Sequence, residues 1–192
     1  MNEYLELEYK YEASQVKLTD FMKLADELNP IKKVDVSSWD VYFVKPGTEG
    51  VFQRYRESDT PELTKKVKTK DSNNWERIEV DLPLDSSRIN EKLVTTYVGL
   101  DGYVKNFKIY KSCFIYWFTN TNMVYYTVYD ENMKEIGRYL EVEVNKDSLK
   151  NISVDKLKEE LETLEKKLEI LGVSKKNRMK RSLFEIYKKE DK

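Results

Sequence analysis

An α+β protein built on a closed, eight-stranded antiparallel β-barrel is predicted by three features of the chain. Segments in which charged and apolar residues alternate recur over the first three-quarters, most of them joined by short turns. A leucine stripe at helical spacing occupies the last quarter, and the charged residues are unusually numerous yet nearly cancel. Closing such a sheet on itself removes its unpaired edges. At 192 residues the chain fits one domain, 1–192, with C-terminal helices at 153–189 packing on the barrel.

The elements follow in order. In 3–12, Leu5, Leu7, Tyr9 and Tyr11 take one face and Glu6, Glu8, Lys10 and Glu12 the other, the period of a strand. Residues 15–28 suit a helix with Val16, Phe21, Leu24 and Leu28 on its apolar side, stopped by Asn29-Pro30. Ser38–Val44 and Phe52–Glu57 read as strands around the turn 45–50, and Leu63–Lys70 and Trp75–Leu82 as another pair around 71–74. After a break at 83–90, with a second helix expected over 86–98, Tyr103–Phe118 and Met123–Asp130 are β-rich, with a turn at 119–122. Arg138–Asn145 is the last strand. Val154, Leu157, Leu161, Leu164, Leu168 and Leu171 then recur at three- and four-residue steps, between a candidate N-cap at Ser153 and a candidate terminator at Gly172. A shorter helix is expected over 178–189.

Composition excludes several chemistries. There is no histidine, so imidazole acid–base catalysis, Ser-His or Cys-His nucleophile pairs and His-ligated zinc are absent. The single cysteine, Cys113, rules out an intrachain disulfide or a thiolate cluster. Any metal must be a hard cation on oxygen ligands. A net charge of −1 speaks against a general nucleic-acid or membrane-surface binder. With no apolar run near the length of a membrane span and no signal-like N-terminus, the expected location is cytoplasmic.

The polar faces of the strands carry the chemistry. Glu6, Glu8 and Lys10; Arg54 and Arg56; Lys66, Lys68 and Lys70; Arg77, Glu79 and Asp81; and Glu141 and Glu143 each recur at i, i+2 and so point the same way. The opposite faces are apolar and suit cover by the helices at 15–28 and 154–171. The sheet is therefore expected to turn its apolar face outward and to line its bore with charge. A polyanion with divalent cations would complete the neutralisation, Lys and Arg holding phosphate oxygens and carboxylates holding metal.

These residues resemble the CYTH superfamily, or triphosphate tunnel metalloenzymes, which includes class IV adenylyl cyclases, thiamine triphosphatases, inorganic tripolyphosphatases and fungal-type RNA triphosphatases. The signature ExExK stands as Glu6-Leu-Glu8-Tyr-Lys10, followed by Asp40-Val-Tyr42-Phe43, Arg54-Tyr-Arg56, Leu63-Thr64-Lys65-Lys66, Arg77-Ile-Glu79-Val-Asp81, and Asp130…Gly137…Glu141-Val-Glu143. Arg181-Ser182-Leu183-Phe184 is similar to the family's Ser-Tyr ending, with Leu at the Tyr position. The family's Lys-x-Arg on a middle strand is represented by Lys111-Ser-Cys113, which lacks the Arg.

The resemblance implies a small-molecule triphosphate held by Lys10, Arg54, Arg56, Lys66, Lys68, Arg77 and Lys111. It implies Mg²⁺ or Mn²⁺ on Glu6, Glu8, Asp130, Glu141 and Glu143, and a catalytic set of Glu79, Asp81 and Lys10. It leaves three activities open: a metal-dependent triphosphatase, a class IV adenylyl cyclase making cyclic AMP, and a binding protein without turnover. A nucleic-acid partner is expected only as an RNA 5′-triphosphate end, and the chain is expected to be a monomer or homodimer. Lys175–Arg181 reads as a solvated helix start, the leucine stripe as cover for its own domain rather than a dimer seam, and Trp39 and Trp117 as core or barrel cover. Trp75 is read in the same way, with stacking of a ring at the mouth as the alternative, since it shares the face of Arg77 and Glu79 near a hairpin.

Overall fold

A computed structural model describes residues 2–48, 50–68 and 76–189. Strands β1 (Asn2–Glu12), β2 (Lys32–Val44), β3 (Val51–Glu57), β4 (Glu62–Lys68), β5 (Glu76–Pro83), β6 (Val104–Trp117), β7 (Thr121–Tyr129) and β8 (Glu135–Val144) form a closed barrel in the order β1-β5-β4-β3-β2-β6-β7-β8. Every pairing is antiparallel. β1 closes the cylinder: Asn2–Leu7 pair with β5, and Glu8–Glu12 pair with β8. The expected hairpin at 71–74 and Trp75 lie outside the described residues, as does the side chain of Lys68.

The apolar face turns outward, as the alternation predicts. Leu7, Tyr9 and Tyr11 of β1, Met123 and Tyr125 of β7, and Leu140 and Val142 of β8 are buried under two helices, α1 (Leu18–Glu27) and α3 (Val154–Leu168). Phe21 and Leu24 come from α1; Leu157, Leu161 and Leu168 come from α3 and are fully buried. Each such leucine contributes about 1.5–3 kcal/mol by leaving water, so the stripe is consumed by its own barrel. Ser153 caps α3 through the Lys156 N–H, and Gly172 takes the left-handed conformation (φ 77°) that ends the helical run.

A third helix, α2 (Glu91–Leu100), covers Val41, Phe43 and Tyr55 with Val94 and Val98. It starts later than the expected residue 86 because Asn90 supplies the cap, its side chain accepting from the Leu93 N–H. β2 begins at Lys32, earlier than expected, because 32–37 pair with the outer half of β6.

The C-terminus departs most from expectation. The helix expected over 178–189 is only α4 (Leu183–Tyr187), started by a capping box between Ser182 and Glu185. Residues before it run along β1: Tyr11 bridges to Arg178, and the Met179 N–H donates to the Lys10 carbonyl at 2.8 Å. Arg178, read from sequence as solvated, is partly buried, its side chain only 9% exposed. Its guanidinium binds both oxygens of Glu165 and lies 3.4 Å from the Tyr9 ring centroid.

Candidate functional site

The even face of β1 and its counterparts on the other strands line a cavity of about 750 Å³ inside the barrel. It has three levels. The floor is closed by aromatic rings, and the charged lining that the alternation predicts lies above it. Phe184 of α4 stacks on Phe52 at 4.4 Å and stands 6.2 Å from Tyr42 and 6.1 Å from Phe107, while Tyr187 meets Tyr139 by a hydroxyl contact of 2.5 Å. α4 thus plugs one end of the bore, and Asp59, Thr60, Asn145 and Lys146 are among the polar residues that line the other.

The middle level is ionic. Lys10, Arg54, Lys66, Arg77 and Lys111 are each less than a tenth exposed, and Arg56 is partly buried. Isolated charges there would be prohibitively costly, so each has a partner. Lys10 binds Glu141 at 2.8 Å and Glu8 at 3.1 Å. Lys66 binds Glu6 at 2.6 Å and also touches Glu79. Arg54 donates to Glu62 at 3.1 Å and to Thr64 at 3.0 Å. Asp40, wholly buried, accepts two bonds from Arg56 at 2.8 and 3.0 Å and meets Lys111 at 3.1 Å. Burial alone would raise the Asp40 carboxyl, but Arg56, Lys111 and Arg54 hold it well below the usual carboxylate range. Arg77 faces Glu185 of α4 at 3.5 Å.

Carboxylates gather on two sides. Oxygens of Glu8, Glu141 and Glu143 all lie within 4.8 Å of one another. Burial, then the charges of Glu141 and Glu8, push the Glu143 carboxyl up to about 7. Burial also acts to raise Glu141, yet Lys10 and Lys111 bring it down to about 2. Three hard oxygen donors, with repulsion stored among them, fit a divalent cation. On the other side, burial and then Glu79 push Glu6 up to about 8, partly opposed by Lys66. Burial works against ionisation of Glu79 too, but Lys66 and Arg54 outweigh it and hold the carboxyl well below its usual range. Oε2 of Glu6 is buried without a hydrogen-bond partner. Asp81 accepts from Thr64 at 2.9 Å, from Tyr4 at 3.0 Å and from Lys146.

Tyr4, Asn122, Tyr126 and Lys146 were not among the sequence candidates. Tyr4 touches Glu79 as well as Asp81, with the Lys146 ammonium 4.4 Å from its ring centroid. Tyr126 donates to Glu141 at 2.7 Å and Asn122 to Glu143 at 3.1 Å. The parity of β1 puts Tyr4 with Glu6 and Glu8, a signal present in the sequence; Lys146 sits in a 3₁₀ turn (Lys146–Lys150) and carries no periodic signal.

Two comparisons with known proteins, against family models and against curated proteins, find no match. Solved structures do match. A conserved hypothetical protein from Pyrococcus furiosus is 25% identical with a TM-score of 0.71, the alignment covering 94% of this chain and 98% of that one. A proposed adenylate cyclase from Vibrio parahaemolyticus is 15% identical with a TM-score of 0.67, covering 95% and 97%. The chain has the triphosphate-tunnel fold. The same fold is met in a chain of the Schizosaccharomyces pombe Mediator head module, at 12% identity and a TM-score of 0.61, covering 87% of this chain and 96% of that one. The tunnel alone therefore does not specify a reaction, and function has to be argued from the side chains in the bore.

Within the tunnel, Lys10, Arg54, Arg56, Lys66, Arg77 and Lys111 come together around the cavity with Glu6, Glu8, Glu79, Glu141 and Glu143. Asp130, expected among the metal ligands, does not line it. Asp130 opens the turn of the β7–β8 hairpin, and its Oδ1 accepts the N–H groups of Asn132 and Lys134, both at 2.9 Å, so the carboxylate shapes a turn. Glu6 is held on Lys66, apart from the Glu8, Glu141 and Glu143 group. Cys113, where the resembling family has Arg, is a buried thiol whose pKa burial pushes up, leaving it uncharged beside Lys111 and Arg56. Trp117 lines the mouth and is 37% exposed, rather than serving as core. No helix is long and apolar enough to cross a membrane among the described residues.

Proposed function

We propose that this chain is a metal-dependent phosphohydrolase acting on a small triphosphate bound in the tunnel. One observation carries the reading: a barrel cavity lined by six basic side chains and by a three-carboxylate cluster. A structural ion-pair network would not need carboxylates crowded together. A simple anion binder would not need them at all.

Glu8, Glu141 and Glu143 would hold the cation, Mg²⁺ or Mn²⁺ by their hard oxygen donors. When bound it supplies charge neutralisation at the phosphoryl oxygens and a lowered pKa for water. The basic residues bind and orient the phosphate chain, Arg54, Arg56 and Arg77 with planar two-donor geometry and Lys10, Lys66 and Lys111 as point charges. Glu79, kept ionised by Lys66 and Arg54, is suited to orient the attacking water rather than to take its proton, since an efficient base has a pKa near the working pH. Water oxygen bonds to the terminal phosphorus, the bridging P–O bond breaks and the diphosphate leaves. The released phosphate keeps one proton of the water and the other passes to solvent.

The test is incubation of the purified chain with Mg²⁺ or Mn²⁺ and, separately, ATP, GTP, thiamine triphosphate and tripolyphosphate. Release of inorganic phosphate is expected. Pyrophosphate together with cyclic AMP would instead make it a cyclase, and tight binding without product a sequestering protein. Glu143→Gln is expected to lower metal-dependent turnover at least 100-fold, about 2.7 kcal/mol of transition-state stabilisation, with an unchanged circular dichroism spectrum. Wild-type turnover in that variant would remove the metal assignment.

A further inference from the structure

Most cations of the cradle are held by carboxylates of the barrel wall itself. Lys10 binds Glu141 of β8 and Glu8 of β1, Lys66 binds Glu6 of β1, and Arg54 binds Glu62 of β4. Arg56 and Lys111 share Asp40 of β2. Arg77 of β5 differs. Its ion-pair partner is Glu185 of α4, at 3.5 Å, and its guanidinium makes no hydrogen bond within the chain among the described residues. Glu185 is itself held. Its Oε2 accepts the Ser182 N–H at 2.7 Å and the Ser182 hydroxyl at 2.9 Å, while Ser182 Oγ accepts the Glu185 N–H at 3.2 Å. Ser182 is buried, and the neighbouring Phe184 is stacked on Phe52, so the carboxylate has a fixed seat beside the bore.

We infer that Glu185 is a positioning residue for Arg77, through which α4 takes part in phosphate binding as well as closing the floor. The inference rests on the triphosphate reading above and deepens it. Two physical arguments support it. An arginine side chain is long and flexible, and Arg77 lies close enough to Lys10 for its charge to act against protonation of Lys10. A fixed carboxylate beside the guanidinium offsets that repulsion and restricts where the side chain points. The second argument is that the donors of Arg77 stay unspent. Oε2 of Glu185 is already engaged by Ser182, and 3.5 Å is longer than the roughly 2.7–2.9 Å of a strong charge-assisted hydrogen bond. Lys66 and Lys10 have to loosen contacts of 2.6 and 2.8 Å to wall carboxylates before taking a phosphate oxygen. Arg77 is oriented by charge and receives the phosphate without that loss.

The experiment is isothermal titration of the full chain with ATP and with tripolyphosphate, Ca²⁺ replacing Mg²⁺ to slow turnover. The tighter ligand is then titrated into Glu185→Asp, Glu185→Gln, Arg77→Met and the two double variants. Glu185→Asp keeps the charge and loses the reach; Glu185→Gln keeps an acceptor for Ser182 and loses the charge. Each is expected to weaken binding about five-fold, and to change it less than about two-fold in the Arg77→Met background, a coupling that a double-mutant cycle reads. The two Glu185 variants disturb α4 differently, so loss of folding in one leaves the other to decide. A carboxylate that only added negative charge near the ligand would do the opposite, with Glu185→Gln tightening binding and Glu185→Asp leaving it unchanged. One that only stabilised α4 would lower the melting temperature at unchanged affinity, or weaken binding equally with and without Arg77. Any of these results would overturn the inference and leave the triphosphate reading standing. Binding of neither ligand to the wild type would overturn that reading itself, and the inference with it.

Discussion

Asp40 has no solvent exposure and three charged contacts from two cations, Arg56 and Lys111. Removing its charge leaves both cations in a low-dielectric bore, so Asp40→Asn is expected to cost about 3 kcal/mol in urea unfolding at pH 7. The pH dependence has a definite sign. The folded carboxyl is held below its unfolded value of about 3.9, so its stabilisation is complete above that value and fades as pH falls toward the folded one. The gap between wild type and Asp40→Asn should therefore be full at pH 7 and narrow below about pH 4; a gap that stays constant down to pH 3 would contradict the ion-pair account. At this scale the sequence was legible wherever alternation fixed the side. Glu6, Glu8, Lys10, Arg54, Arg77 and Glu79 all face inward as read. Asp130 was misplaced because an acid near a strand end looks the same whether it points into a bore or accepts the N–H groups of a turn. Lys146 was missed because a 3₁₀ turn has no period to read.

At the scale of elements, the floor depends on α4, and α4 depends on a close approach to β8. A Cβ on Gly137 would lie 2.6 Å from the Tyr187 hydroxyl and 2.7 Å from that of Tyr139. Both rings are packed, so neither can swing freely aside. Gly137→Ala is expected to destabilise the fold by about 1–3 kcal/mol through overpacking. Tyr187→Phe removes one of the two hydroxyls and should recover part of that loss, a non-additivity that a double-mutant cycle measures. Additive effects would mean that Gly137 and Tyr187 do not meet. Phe184→Ala should cost about 2–3 kcal/mol, near or just below the usual range for losing a packed ring, since Phe184 is only partly buried. None of this was readable in advance. The alternation gave the strands and their inward faces, and the spacing of leucines gave α3, because both periods persist over many residues. A five-residue helix completes barely more than one turn, and nothing local in 183–187 states that its aromatic side chains enter a barrel 40 residues upstream in sequence. The resemblance of Arg181–Phe184 to a family ending located the segment but not its role as a plug.

For the whole molecule, closure and charge are linked. β1 joins the cylinder by pairing with β5 and β8, the latter more than 120 residues away in sequence, so the bore forms when the last strand is in place. Closing it brings Glu8, Glu141 and Glu143 together at a net electrostatic cost, which the elevated Glu143 pKa of about 7 reflects, while buried Lys and Arg lie a few ångströms away. Folding is thus favoured by the outer apolar shell of α1 and α3 and opposed by part of the interior. A ligand that neutralises the interior acts on that opposing part, and it binds only the closed state because the unfolded chain has no bore. Linkage then fixes the size of the effect. At a ligand concentration 100 times its dissociation constant the stabilisation is about 2.7 kcal/mol, which for a domain of this size raises the melting temperature by roughly 5–10 °C. Mg²⁺ with ATP is expected to produce a shift of this order in a thermal melt, while Mg²⁺ alone should give a smaller one because the basic cradle stays unfilled. In Arg54→Met the shift from Mg²⁺ with ATP should fall while the shift from Mg²⁺ alone persists, since Arg54 is not among the carboxylate cluster that would hold the cation. Equal shifts from Mg²⁺ with and without ATP in the wild type would mean that the cradle does not hold phosphate.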